Sequence, residues 1–192
     1  MRYYPSMFNL PKRSIGYTLI ELMVTITAAG ILMSIAVPSY TAVIDNTRLT
    51  TYTNDLVTAL NYARSEAIKR GVQVTVKRKG VVSAHWESGW DVFVDNDPIN
   101  AFNDNGDATL CEQGEDCLLR TFDPLLSGYQ LTASNNNYAD FAAYLPSGLS
   151  YAVASVNQFT LCNKSVKVVP QRTININTIG RPSVDSATGT CP

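Results

Sequence analysis

The chain begins with a polar, basic stretch and then turns apolar almost without a break. Residues 17–37 read YTLIELMVTITAAGILMSIAV, 21 residues with one charge, Glu21. As a helix they extend about 31 Å at about 1.5 Å per residue, matching a bilayer's hydrocarbon core. Lys12 and Arg13 precede the run, and no basic residue follows until Arg48. The positive-inside bias therefore leaves the N-terminus in the cytoplasm and the bulk of the chain outside. An ordinary secretory signal has a shorter apolar core and a small-residue cleavage pattern behind it. Here the polar-to-apolar border lies in front, at Lys12-Arg13-Ser14-Ile15-Gly16-Tyr17.

Beyond the run, Pro38 removes one helical hydrogen bond and predicts a bend. Tyr52, Leu56, Ala59, Leu60, Ala63 and Ala67 then recur at steps of three and four, with Asn54, Asp55, Arg64 and Lys69 on other faces. That pattern predicts an amphipathic helix packed on an apolar surface. Lys69 and Arg70 suit a helix C-terminus, and Gly71 suits the position after it. One helix is thus expected from about 17 to 70, kinked near 38.

After Gly71 the period changes to two. Val72, Val74 and Val76 alternate with Gln73, Thr75 and Lys77, as in a strand. Further strands are expected at Val81–Glu87, Trp90–Val94, Leu118–Phe122, Gln130–Ala133, Phe141–Leu145, Gln158–Cys162, Lys167–Val169 and Thr173–Asn177. Residues 95–109, DNDPINAFNDNGDAT, form a polar loop rich in turn formers. The fold class is α+β: a long N-terminal helix, membrane-spanning in its first half, packed on an antiparallel β-sheet domain. The expected divisions are 1–16, a leader; 17–38, a transmembrane helix; 39–71, the outer half of that helix; and 72–192, the β domain.

Charge excludes one class of function. The formal net charge is −1, and losing a leader with Arg2, Lys12 and Arg13 would leave twelve basic residues against sixteen acidic ones. A general nucleic-acid binder is basic. The four cysteines, Cys111, Cys117, Cys162 and Cys191, all follow the apolar run. Three pairings are open, and closeness in the chain favours Cys111–Cys117 with Cys162–Cys191, in an oxidising compartment such as a periplasm. No CxxC occurs and His85 stands alone, against zinc. Asp95, Asp97, Asp104, Asn105 and Asp107 offer oxygen to calcium, but their spacing is not that of an EF-hand. A solvated loop is the favoured reading, so no metal or cofactor is expected. Arg64, Lys69, Arg70, Lys77, Arg78 and Lys79 form a basic group that helix-end electrostatics accounts for. No nucleophile motif or phosphate loop is present, so no enzyme activity is expected.

Glu21 is the residue that mere membrane anchoring leaves unexplained. A carboxylate inside lipid costs a few kcal/mol and calls for a partner or a function. No Lys or Arg lies within one turn of it. Cleavage after Gly16 would give Tyr17 a free α-amino group, a cation at suitable depth on a neighbouring chain.

Gly16-Tyr17-Thr18-Leu19-Ile20-Glu21 resembles the prepilin signature of type IV pilins and type II secretion pseudopilins, with Tyr17 in place of the usual Phe. The resemblance implies cleavage between Gly16 and Tyr17 by prepilin peptidase, N-methylation of Tyr17, and an assembly role for Glu21. Leu60–Gly71, Gly89–Asp95, Leu145–Gly148, Phe159–Cys162 and Gly180-Arg181 resemble the GspH/FimT family of minor pilins and pseudopilins. That family implies a low-abundance subunit of a fibre-initiating or tip complex, partnered by other minor pilins. It implies an inner-membrane, single-pass chain with a periplasmic domain that later enters a pilus or pseudopilus fibre. An H-type pseudopilin and a DNA-binding minor pilin for natural transformation remain alternatives. For DNA the candidate contact is Arg181. Relatives that bind DNA carry a second arginine two positions later, where this chain has Ser183.

Overall fold

In the computed structural model, described residues are 16–97, 100–103, 111, 114–134, 136–151, 157–164, 169–177 and 179–192. The chain divides into two compact units, Met1–Val43 and Ile44–Pro192.

One helix, α1, spans Leu19–Arg70. Thr18 caps its start: the Glu21 backbone N–H donates to Thr18 Oγ1 at 3.3 Å, the side-chain-to-backbone bond that satisfies an orphan donor of the first turn. Helical structure runs unbroken through position 38. At the other end the Gly71 N–H reaches the Ala67 carbonyl at 2.9 Å. Gly71 takes φ +69°, a left-handed cap that glycine adopts without a Cβ penalty.

In the second unit, Leu49, Leu56, Ala59, Leu60, Ala63 and Ala67 of α1 are buried and join one apolar core with both sheets. The spacing of three and four puts them on one stripe. Buried Thr53 interrupts that stripe and satisfies its hydroxyl on the Leu49 carbonyl at 2.7 Å. Eight strands follow: β1 (Val74–Arg78), β2 (Trp90–Val94), β3 (Cys117–Phe122), β4 (Tyr129–Ala133), β5 (Phe141–Tyr144), β6 (Asn157–Asn163), β7 (Val169–Ile176) and β8 (Pro182–Gly189). They form two four-stranded antiparallel sheets, ordered β3-β2-β1-β5 and β4-β6-β7-β8.

Three strand assignments differ from expectation. Val81–Glu87 is not a strand. Gly80 and Ala84 take positive φ, Val81 and Val82 point to solvent, and only His85 makes an isolated bridge, to Thr132. The segment instead seats Trp86 in the core. The Trp86 N–H donates to the Leu131 carbonyl at 2.8 Å and the Ala133 N–H to the Ala84 carbonyl at 2.9 Å. Second, Thr173–Ile176 and Val169 belong to one strand, β7, which stops before Asn177, while residues 167–168 lie outside the described residues. Third, β8 was not expected. Its sequence PSVDSATG has no apolar alternation because β8 is an exposed edge strand. Pairing along all of β7, from Val169↔Gly189 to Ile176↔Pro182, holds it, and its proline sits at the first position, where an edge strand tolerates it.

Candidate functional site

The N-terminal unit carries the residues singled out by chemistry. Gly16 and Tyr17 precede α1, and Tyr17 is 83% exposed. Among described side chains of residues 19–37, every one is exposed, and large apolar groups point outward all round. A helix apolar on every face belongs in lipid or in a protein core. Its hydroxyls are internally satisfied: Thr25 donates to the Leu22 carbonyl at 2.8 Å, Thr27 to Met23 at 2.7 Å and Ser34 to Ile31 at 2.7 Å. Such back-bonding lets hydroxyls sit in hydrocarbon. The Glu21 carboxylate is different: no hydrogen bond or ion pair among the described residues engages it. Thr18 with Glu21 at the third helical position is a T-x-x-E box. The same box is legible in the sequence as Thr18-Leu19-Ile20-Glu21.

The acidic loop is not simply solvated. Asp95 is 2% exposed and Asp116 3%. Asp95 Oδ2 accepts from Gln73 Nε2 at 2.9 Å, Thr75 Oγ1 at 2.8 Å and the Asn100 N–H at 3.0 Å. Asp116 accepts from the Asn96 and Asn103 N–H groups at 2.9 and 2.8 Å. Burial pushes the Asp116 carboxyl up, helped by the charges of Asp95 and Asp97 and opposed by those two N–H groups. Strand register explains the meeting: Val94 pairs with Cys117, so Asp95 and Asp116 flank the end of the β2–β3 ladder. Asp116 was missed because it stands 19 residues away from Asp97 in sequence. Asp104, Asn105 and Asp107 lie outside the described residues.

Most of the basic group is committed internally. Arg64 Nε donates to the Gly148 carbonyl at 2.8 Å. Arg70 and Lys69 pair with Glu66 at 2.6 and 3.5 Å, and Arg70 holds the Glu66 carboxyl below its usual range. Arg78 pairs with Asp140 at 2.5 Å and Lys79 with Asp91 at 3.1 Å. Arg181 is exposed, in the β7–β8 turn; its N–H donates to Asn177 Oδ1 at 2.8 Å. The preceding Gly180 has φ +79°, and a Cβ there would stand 2.8 Å from the buried Tyr144 ring. The Gly180-Arg181 pair therefore has a backbone role whatever Arg181 touches. His85 Nδ1 lies 2.9 Å from Glu87 Oε1. Cys111 is bonded to Cys117 and Cys162 to Cys191.

With this geometry in place, the comparisons with known proteins become informative. The family model described as type II transport protein GspH matches residues 52–180. The chain belongs to the GspH family. A second model, the prokaryotic N-terminal methylation motif, matches residues 11–37, the leader border and the apolar half of the helix. Two solved structures share the fold of this GspH-family chain, both of the type IV minor pilin FimU of Pseudomonas aeruginosa PAO1, in different crystal forms. One is 15% identical, with a TM-score of 0.52, covering 73% of this chain and 90% of FimU. The other is 16% identical, with a TM-score of 0.50, covering 71% and 92%. No curated protein sequence matches. The fold is pilin-like, a long N-terminal helix with antiparallel sheets, and pilins and pseudopilins are structural, non-enzymatic subunits. The methylation motif carries with it processing by prepilin peptidase and assembly with other pilins.

Proposed function

We propose that this protein is a minor pilin of a type IV pilus, placed in the complex that initiates or tips the fibre. It is inserted in the inner membrane, cut between Gly16 and Tyr17, methylated on Tyr17, and drawn into the fibre through α1. The observation that carries this is Glu21: a carboxylate without a partner among the described residues, on an exposed apolar helix whose hydroxyls are satisfied. On insertion scales an acidic residue costs about 3 kcal/mol at the centre of a lipid-embedded helix and less towards the end, where Glu21 lies. A cation about 4 Å away at an effective dielectric of about 20 attracts it by about 4 kcal/mol. The two are comparable, so pairing with the Tyr17 amine of an adjacent subunit offsets the burial. Fold likeness to FimU supports the pilus setting.

The test is Glu21→Ala in the native host. Membrane insertion and cleavage after Gly16 should stay unchanged, while recovery with partner subunits falls about tenfold, equivalent to about 1.4 kcal/mol. Undiminished recovery would refute the pairing. A second reading, an H-type pseudopilin of a type II secretion system, is favoured by the description of the matching family model. Deleting the chain separates the two: loss of surface fibres with intact protein export supports the first, the reverse outcome the second.

A further inference from the structure

We propose that Asp95, Asp97 and Asp116 form a site for one divalent cation of the calcium class, at the end of the β2–β3 ladder. Each carboxylate offers one oxygen, and the three oxygens lie within 4.8 Å of one another. At metal–oxygen distances of about 2.3–2.6 Å, ligands facing each other across calcium are about 4.6–5.2 Å apart. Magnesium keeps several waters and is usually held through only one or two carboxylates. A set of three carboxylates therefore suits the larger ion, which can touch all three oxygens at once.

A second observation is independent of the clustering. Asp95 is 2% exposed, and its Oδ2 is occupied by the three donors Gln73 Nε2, Thr75 Oγ1 and the Asn100 N–H. Its Oδ1 is buried with no hydrogen-bond partner among the described residues. A buried carboxylate oxygen left without a donor is costly, and a cation is the partner that suits it. No Lys, Arg or His forms an ion pair with these three carboxylates among the described residues.

The donor set is all oxygen. Cys111 and Cys117, the nearest sulfurs in sequence, are bonded to each other, and no imidazole belongs to the cluster. Carboxylate oxygen selects hard cations over zinc or copper. The arrangement is also built by the fold. β-Register sets Asp95 opposite Asp116, and Asp97, exposed at the rim, leaves an approach from solvent. Spacing along the loop hid this, because one ligand comes from the far side of the hairpin. A bound ion would tie the segment after β2 to the segment before β3, whether the chain serves a pilus or a secretion fibre.

The experiment uses the mature full chain in detergent, stripped with chelator and titrated calorimetrically with Ca²⁺ alone, then with Mg²⁺ alone. One saturable Ca²⁺ site is expected below about 10 mM, in the range of extracellular calcium modules. Saturating Ca²⁺ should raise Tm, as any ligand of the folded state does. Asp97→Asn, at an exposed position, should weaken Ca²⁺ affinity about tenfold with an unchanged ion-free Tm. Asp116→Asn should weaken it as well. Absence of saturable heat and of any Tm rise up to about 10 mM would overturn the site. So would binding that both variants leave intact, and Mg²⁺ binding as tightly as Ca²⁺ would overturn the calcium class.

Discussion

Replacing Trp86 by alanine tests how the two sheets are joined. Trp86 is fully buried between them: its backbone bonds to β4, its ring meets Phe159 edge-on at 5.1 Å, and Nε1 donates to the Tyr138 carbonyl at 3.0 Å. A buried aromatic truncated to alanine costs about 3–5 kcal/mol. Orphaning a buried carbonyl adds about 1 kcal/mol or more, so the loss should be about 4–6 kcal/mol. For a unit of this size each kcal/mol lowers Tm by about 2–4 °C. Trp86→Ala should therefore unfold at least about 8 °C below the parent. Trp86→Phe keeps most of the ring volume but loses the Nε1 bond, and should lie between. Trp86 and Trp90 are the only tryptophans, so Trp90 emission alone follows unfolding in either variant, alongside near-UV circular dichroism. A Trp86→Ala chain within 1 kcal/mol of the parent would refute the view that this segment, not a strand, pins the sheets together.

Other expectations follow from single contacts. Cys191→Ser opens the Cys162–Cys191 bridge, which closes 29 residues; the chain-entropy model gives a loss of about 3–4 kcal/mol, read as a Tm drop by calorimetry. Gly180→Ala, with φ +79° and the Tyr144 ring in its way, should cost about 2 kcal/mol, whereas exposed Arg181→Ala should stay within about 0.5 kcal/mol. Glu66 and Asp140 are held low chiefly by hydrogen bonds from Arg70 and Arg78. Because folding lowers their pKa, their contribution is present above the ordinary carboxylate range, about pH 4, and is lost as pH falls through the folded values. Glu66→Gln or Asp140→Asn should therefore flatten the acid limb of a Tm-against-pH curve.

Periodicity made the helix legible because its signal is long. Six apolar positions from Tyr52 to Ala67, a glycine after Arg70 and a 21-residue apolar run leave little choice of element, although Leu49, which the pattern did not include, is buried while Tyr52 is only partly so. Trp90–Val94 was equally plain, since β-branched and aromatic residues fill it. Legibility failed where pairing, not composition, decides. In β8, residues Ser183–Thr188 face solvent and gain order only from the β7 ladder. Val81–Glu87 has strand-like residues, but positive φ at Ala84 and at the preceding Gly80 breaks extension. Asp116 joined Asp95 only through antiparallel register, which no local window contains.

Glu21 invites a local explanation that needs no partner chain. It stands at the third position of a capped helix, where a carboxylate favours the positive end of the dipole. But the observed cap uses Thr18 Oγ1 and the Glu21 backbone N–H, not the carboxylate. A T-x-x-Q box would cap as well as T-x-x-E, so the cap does not require a charge. Dipole gains are about 0.3–1 kcal/mol at exposed sites and reach about 2 kcal/mol where partly buried, so they offset only part of the few kcal/mol that lipid exacts from an acidic side chain. The balance leaves the carboxylate in need of a cation that its own helix does not supply. An amine exposed by cutting after Gly16 would arise at the start of the same apolar segment, on every processed copy of the chain.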